Sequence, residues 1–222
     1  MFSDRRATFR SDEIVERDAN LVRQWGQISG HSKFNVVHLI EGALRKHLPL
    51  PLDINFIDPR LDGVEAFVEF DRKVDRASLF VRRSVWVLAE ANHDLSRFIL
   101  AHEIGHLKMH RHDALGFPRY GKSALSDLQE QERAEPQADK FADCLLVKED
   151  LLLGFSEEEE IAFMFDVPIN CARRRLQIVQ DKARRRSARH TGEACPECAN
   201  FTLVHHGPCL KCDTCGGTMG YF

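Results

Sequence analysis

The sequence RFILAHEIGHL, residues 97–107, sets two histidines and a glutamate in a mostly apolar stretch. In an α-helix, His102 and His106 lie about 40° apart around the axis and about 6 Å apart along it. Two imidazoles at that separation on one helix face can bind one zinc ion. Glu103 follows the first histidine, where its carboxylate can act as a general base without binding the metal. The stretch therefore predicts a helix that carries a hydrolytic zinc site.

Apolar residues on both sides of the motif, such as Leu100 and Ile104, indicate that this helix is buried. A buried carboxylate and two buried imidazoles are costly to desolvate without partners, and a metal ion would supply the partner. The alternative is a chance pair of histidines beside a solvated glutamate, which the apolar surroundings disfavour.

A catalytic zinc ion usually takes a third protein ligand, and the segment EPQAD at residues 135–139 offers one. Glu135 is the predicted ligand. Asp139 lies one helical turn later, where it can accept a hydrogen bond from the non-ligating nitrogen of a zinc-bound histidine and fix its tautomer. Pro136 suits the first position of a helix, which would place Glu135 at the N-cap.

Two other residues compete for the third position. Glu132 is close in sequence, but Pro136 stands one turn later, where an acid would be needed. His112 has the spacing of the metzincin motif, which requires a glycine where this chain has Met109. His110 lies one turn beyond His106 and is expected to be structural or to support the site without binding the metal.

Stabilisation of a developing oxyanion needs a donor beyond the metal. Tyr120 is the first candidate and its neighbour Arg119 the second, both in a loop predicted at residues 111–127. The alternative, an ordinary exposed Arg-Tyr pair, is favoured, so neither is included in the predicted site.

A second metal site is predicted near the C-terminus, where Cys195 and Cys198 form one Cys-x2-Cys pair and Cys212 forms another with Cys215 or Cys209. Pairs at this spacing form closed, structural four-thiolate zinc sites. Cys209 could replace Cys215 in the second pair. Gly216 favours Cys215, because a glycine after a Cys-x2-Cys turn, or knuckle, lets backbone amides approach the thiolates. Ala199 holds the same position after the first pair. The predicted ligands are Cys195, Cys198, Cys212 and Cys215.

The remaining pattern predicts an α+β protein. Apolar residues at helical spacing predict helices at 12–30 and 34–47. The expected N-cap of the motif helix is Asn92 or Asp94, and Ser156 with Glu159 forms a capping box for a later helix. Short runs rich in Val, Ile and Phe predict strands of a small, mostly antiparallel sheet at 53–58, 64–70, 78–81 and 84–89.

Three parts are expected: a metalloprotease domain at 1–150, a helical, helix-turn-helix-like segment at 151–190 and a zinc ribbon at 191–222. The middle part carries eight basic residues between Arg173 and Arg189 against one acid, which is typically a solvated helix face but permits DNA contact. The net charge of −3 excludes a uniformly basic nucleic-acid binder. We expect a cytoplasmic protein without membrane contact, because no apolar run is long enough to span a bilayer and the N-terminus does not resemble a signal peptide.

RFILAHEIGHL, followed by Glu135-x-Gln137-Ala138-Asp139-x-Phe141-Ala142-x-x-Leu145-Leu146, resembles the ImmA/IrrE metallo-endopeptidases over about residues 12–180. Val147-Lys148 replaces that family's usual Met-Pro, and Pro136 is unusual; neither change touches a proposed ligand. The resemblance implies a zincin-like domain with a gluzincin-like site that cleaves a helix-turn-helix repressor and so switches on stress-response or mobile-element genes.

Two other functions remain open. The first is a nucleic-acid-binding regulator that uses the basic helix and the ribbon, for which Glu103 would be unnecessary. The second is a DNA-associated protease like the SprT family, which also joins this motif to a ribbon. The pairing of Glu135 with Asp139 argues against the second.

Overall fold

The computed structural model describes residues 6–28, 30, 33–60, 63–113 and 128–220, without the side chains of 185–189. The chain divides into two compact units, Met1–Leu176 and Gln177–Phe222. The first unit contains helices and a small sheet, and the second contains part of a helix and a small sheet. The predicted α+β class is therefore confirmed. Of the described helices, none is long and apolar enough to cross a membrane.

The first unit is mainly helical. A π-helical turn lies at Ile40–Leu44, and 3-10 turns lie at Glu130–Glu132 and Glu149–Leu152. The α-helices are α1 (Asp12–Trp25), α2 (Val36–Leu39), α3 (Arg45–His47), α4 (Arg83–Glu90), α5 (Asp94–Met109), α6 (Ala134–Leu146), α7 (Glu158–Phe165) and α8 (Ile169–Arg189), the last continuing into the second unit.

One three-stranded sheet lies in this unit, with β1 (Leu52–Phe56), β2 (Ala66–Asp71) and β3 (Arg76–Val81) in the order β1-β3-β2. The pairing of β1 with β3 is parallel and that of β2 with β3 is antiparallel. The predicted antiparallel arrangement therefore holds for one of the two pairings. The central strand β3 buries Ala77, Leu79 and Val81 on one face.

The strand predicted at 84–89 is wrong, because these residues belong to α4. A short apolar run rich in β-branched residues does not distinguish a strand from a buried helix. Val85, Trp86 and Ala89 are buried, a spacing that fits one helix face, and α4 packs against α5 and α2.

Three predicted helix starts also differ from the structure. The N-cap of α5 is His93, whose ring accepts a hydrogen bond from the Ser96 backbone. Helix α7 is capped by Glu157 without a side-chain hydrogen bond, so the predicted capping box is absent there. Helix α6 begins at Ala134, which places Glu135 inside the first turn and not at the cap.

Close contact between α5 and α6 determines the geometry of the site. Gly105 on α5 faces α6, where a Cβ atom would come within 3.2 Å of the Ala138 Cα and Phe141 Cβ atoms. Glycine therefore permits the two helices to approach at this point. Phe141 and Ala138 are fully buried, so the interface is part of the core.

The second unit contains a three-stranded antiparallel sheet made of β4 (Leu203–His206), β5 (Cys209–Cys212) and β6 (Thr218–Gly220). Its small core consists of Cys195, Leu203, Leu210 and Cys212. Two of these four residues are predicted zinc ligands. A core this small rarely stabilises a fold without a metal or disulfides.

Candidate active site and metal centres

Three side chains from two helices converge on one point. His102 and His106 extend from successive turns of α5, and Glu135 extends from the first turn of α6. The Nε2 atoms of the two histidines are 3.0 Å apart. Glu135 Oε2 lies 3.2 Å from His102 Nε2, and Glu135 Oε1 lies 3.5 Å from His106 Nε2.

These separations fit a tetrahedral metal. Zinc–nitrogen and zinc–oxygen bonds of about 2.0–2.2 Å place tetrahedral ligand atoms about 3.3 Å from one another. The two nitrogens and the carboxylate are also the donor types that zinc takes in catalytic sites. Side-chain exposure is 16% for His102, 7% for His106 and 37% for Glu135, so the site is open to solvent on the Glu135 side.

Asp139 takes the position expected of it, one turn after Glu135. Its Oδ1 lies 2.8 Å from His102 Nδ1, while His102 Nε2 faces His106 and Glu135. Burial opposes protonation of His102, but hydrogen bonds to Asp139 and Glu135 outweigh it and raise the histidine's pKa to about 10. Burial likewise favours the neutral form of Glu135, but hydrogen bonds from His102 and His106 lower its pKa well below the usual range. Together the carboxylates create strong negative potential at the point of convergence, which favours a cation.

Glu103 is only 6% exposed although it is an acid. It directly follows His102 on α5, and its charge contributes to the raised pKa of that histidine. A buried carboxylate beside the ligands, but outside the converging set, suits a proton acceptor better than a ligand.

The competing third ligands lie elsewhere. Glu132 belongs to a 3-10 turn, where its carboxylate accepts a hydrogen bond from the Gln129 backbone and pairs with Arg6 at 3.6 Å. The converging group does not include His112, which is exposed and whose backbone oxygen accepts a weak hydrogen bond from Arg72. Both oxyanion candidates, Arg119 and Tyr120, fall outside the described residues.

The four predicted ribbon cysteines also converge. The Sγ atoms of Cys195 and Cys215 are 3.7 Å apart, and those of Cys198 and Cys212 are 3.6 Å apart. Zinc–sulfur bonds of about 2.3 Å require about 3.8 Å between tetrahedral ligands. The Thr202 hydroxyl, 3.3 Å from Cys212 Sγ, contributes most to lowering the pKa of that thiol to about 6. Cys209 is not one of these four converging cysteines.

The two cysteine knuckles share one backbone geometry. The amide of Ala199 donates to the Cys195 carbonyl at 2.7 Å, and the amide of Gly216 donates to the Cys212 carbonyl at 2.9 Å. Both residues have a left-handed backbone, with φ of 58° at Ala199 and 77° at Gly216. Alanine is strained in this conformation and glycine is not.

Replacing Ala199 with glycine is therefore expected to tighten zinc binding by the ribbon about two- to five-fold. Relief of left-handed strain contributes ~1–2 kcal/mol, partly offset by the greater entropy of glycine in the unfolded chain. Chelator competition would measure the change. Gly216→Ala is the matched control and should weaken binding, since open space surrounds Gly216 and only the backbone is affected. Weaker binding by A199G would contradict the strain argument.

The first part of the basic run forms ion pairs within the first unit. Arg173 pairs with Glu158 at 2.6 Å, and Arg174 makes two hydrogen bonds to the buried Asp143 at 2.6 and 2.7 Å. Arg175 is 1% exposed. It pairs with Glu16 and donates to the carbonyl of Val147. These arginines hold α8 in place, so any DNA contact by the run would depend on its later residues.

A buried hydrogen-bonded network lies behind His106, and the sequence predicted a supporting role for only one of its members, His110. The network passes through His110 and Gln137 to Arg10 and Thr8 near the N-terminus. The position of His110 one turn after His106 was a signal, but nothing marked residues 6–10 as part of the site. Burial, with a smaller effect from nearby His106, lowers the pKa of His110 to about 3, so its ring is neutral.

Two curated relatives match short parts of the chain. A vitamin B12-dependent ribonucleotide reductase of Bradyrhizobium diazoefficiens is 53% identical over 47 residues, 19% of this chain and 4% of that protein. The enzyme of the same name from Agrobacterium fabrum is 61% identical over 31 residues, 14% of this chain and 2% of that protein. The chain thus spans only a few per cent of the length of either relative.

A solved structure described as a Mycobacterium tuberculosis transcriptional regulator aligns with a TM-score of 0.43 at 14% identity, over 72% of this chain and 46% of that one. A protein-family model matches residues 63–177, which are just over half of the chain and include α5 and α6. This chain belongs to the Peptidase_M78 family of metallopeptidases, whose IrrE N-terminal-like domain it contains.

Proposed function

We propose that this protein is a zinc-dependent endopeptidase. His102, His106 and Glu135 hold the catalytic zinc, and Glu103 is the general base. The observation that carries the proposal is the convergence of three zinc-type side chains, whose facing nitrogen and oxygen atoms are separated by 3.0, 3.2 and 3.5 Å. Peptide hydrolysis needs a buried acid beside such side chains as a general base, whereas a structural metal site does not need one.

His102, His106 and Glu135 would hold a zinc ion whose Lewis acidity would lower the pKa of a water molecule and polarise the carbonyl of the scissile peptide. Glu103 accepts the proton of the attacking water and later delivers it to the departing amine. Asp139 accepts a hydrogen bond from Nδ1 of His102, so that Nε2 of His102 is available as a ligand. Exposure of Glu135 leaves one side of the site accessible to an extended peptide.

The four cysteines Cys195, Cys198, Cys212 and Cys215 hold a second, structural zinc that folds the ribbon. In this proposal the chain has the three parts predicted above: a catalytic part to residue 150, helices at 151–190 and a ribbon from 191. Closed thiolate sites of this kind suit the reducing cytoplasm, where we place the protein.

The proposed substrate is a helix-turn-helix repressor whose cleavage induces stress-response or mobile-element genes. Membership of the IrrE-type family supports this substrate class. Contact with DNA is the weaker alternative for the appended parts, because Arg173, Arg174 and Arg175 are paired with acids. Residues 191–222 contain three acids and one lysine, so four zinc-bound thiolates would make the ribbon more negative and repel phosphates.

The test is incubation of the purified protein, loaded with zinc or manganese, with repressors encoded beside its gene. We expect one internal cut in a single repressor, identified by mass spectrometry, and its loss when metal is removed with a chelator. Metal analysis should find two zinc ions per chain, one exchangeable and one tight. A single zinc that survives removal of both His102 and His106 would contradict the catalytic site.

A further inference from the structure

A line of buried polar side chains runs from His106 away from the proposed zinc site. His106 Nδ1 lies 2.8 Å from His110 Nδ1, and His110 Nε2 lies 2.9 Å from Gln137 Oε1. His110 is 0% exposed and Gln137 is 2% exposed. The Gln137 Nε2 atom donates to the Thr8 carbonyl at 2.9 Å and to the Gln131 carbonyl at 2.6 Å. Among the described residues, no carboxylate is hydrogen-bonded to either nitrogen of His110.

The partners of Gln137 determine which way its amide points. Its nitrogen faces two carbonyl oxygens, which only accept hydrogen bonds. Its oxygen accepts a bond from Arg10 Nη1 at 3.0 Å, and a guanidinium only donates. Three independent partners thus agree, so Oε1 of Gln137 is the atom that faces His110.

The orientation of Gln137 then sets every proton in the line. Because Oε1 only accepts, His110 Nε2 must carry a hydrogen. Complete burial without a carboxylate on either nitrogen favours the neutral ring of His110. A neutral imidazole has one donor and one acceptor, so His110 Nδ1 accepts. His106 Nδ1 therefore carries the hydrogen between the two rings. This leaves the lone pair on His106 Nε2, the atom that faces His102 Nε2 at 3.0 Å.

We infer that His110 and Gln137 are positioning residues that keep His106 in its Nδ1-protonated tautomer, with Nε2 ready to bind zinc. This inference rests on the proposed function of the site. It also explains why the two histidines have different partners. His102 is oriented by the partly exposed carboxylate of Asp139, whereas His106 is oriented by a relay of two neutral, buried side chains, His110 and Gln137.

Arg10 anchors this relay from outside the matched family domain. Besides Gln137, it donates to Asp113 at 2.8 Å and to the carbonyl of Met109 at the end of α5. The hydroxyl of Thr8 also donates to Asp113, at 2.5 Å. Backbone amides of residues 7 and 10 donate hydrogen bonds to the carbonyls of residues 132 and 131, just before α6. Arg10 thus joins the end of one ligand-bearing helix to a side chain of the other.

The test compares zinc affinities of the full-length protein by chelator competition. His110→Leu removes the acceptor for His106 and should weaken the exchangeable zinc about 10–100-fold, as loss of such outer hydrogen bonds does. His110→Asn can place its Oδ1 near the position of the lost Nδ1 and should recover most of the affinity. Packing alone predicts the opposite order, since leucine suits a buried site better than asparagine. Equal affinity of H110L and wild type would overturn the inference.

Arg10→Leu should also weaken the exchangeable zinc, although Arg10 is not a ligand. The matched control is Arg17→Leu, because the Arg17 side chain is 72% exposed and belongs to α1. Equal zinc affinities of R10L and R17L would remove Arg10 from the relay.

Imidazole nitrogen NMR of the wild type gives a readout that needs no mutation of the relay. Metal-free and zinc-loaded protein should both show His106 protonated at Nδ1, with its signal assigned by loss in His106→Asn. Protonation of His106 at Nε2 in metal-free protein would overturn the inference. A protein with the Nδ1 tautomer but no exchangeable zinc would refute the proposed function and leave the relay standing.

Discussion

Glu103→Gln is expected to lower kcat/KM for repressor cleavage by roughly 10²–10⁴-fold, the usual contribution of a general base. Glutamine has nearly the shape of glutamate, but its amide cannot take a proton at neutral pH. Because Glu103 is outside the converging ligand set, the variant should retain its exchangeable zinc and its melting temperature. The measurement is the rate of peptide-bond cleavage at matched zinc occupancy.

Glu132→Gln is the matched control for that experiment. It makes the same change at a nearby acid that lies outside the converging group. Cleavage by E132Q should stay within about two-fold of wild type, as for a surface substitution. Substantial peptidase activity in E103Q would remove Glu103 from its proposed role.

Glu135→Ala is expected to produce the largest loss of exchangeable zinc. It reduces the site from three protein ligands to two and removes the carboxylate that faces the Nε2 atoms of both histidines. Asp139→Ala should cost less, about 10–100-fold, because it removes only the hydrogen bond that orients His102. Zinc dissociation constants and zinc-dependent thermal stabilisation would rank the variants.

His112→Ala and Glu132→Ala complete this series as the competing ligands. Neither belongs to the converging group, so both should bind zinc about as tightly as wild type. The ribbon zinc provides an internal reference in every variant, since its four thiolate ligands are unchanged. A larger loss in H112A than in E135A would favour the metzincin-like arrangement and contradict the proposed ligand set.

Local spacing is the basis on which most of the candidate site could be predicted. The positions of His102 and His106 on one helix face follow from helical periodicity, as does the one-turn relation of Glu135 to Asp139. The Cys-x2-Cys pairs likewise specify their knuckles within a few residues. In each case the relevant geometry arises inside one short segment, and the structure shows the corresponding atoms within bonding reach of a common point.

The predictions of secondary structure were wrong where the local sequence preference was weak. Residues 84–89 have strand-like composition, but α4 forms because one helical face can pack against α5 and α2. The N-cap of α5 is His93 and not the predicted Asn92 or Asp94, and its ring nitrogen accepts the hydrogen bond expected of an Asn or Asp side chain. Tertiary packing overrides such preferences because they amount to only fractions of a kcal/mol per residue.

The sequence by itself determined the motif helix, the acidic pair of α6 and the four-cysteine module, because each depends on short-range periodicity. Only the tertiary structure decided that Glu135 meets histidines some thirty residues earlier, through the approach of α5 and α6 at Gly105. It also decided that Arg173 to Arg175 pair with acids and that Arg10 reaches the site. These contacts join residues far apart in the chain, so they form only when the whole core packs, and no local pattern encodes them.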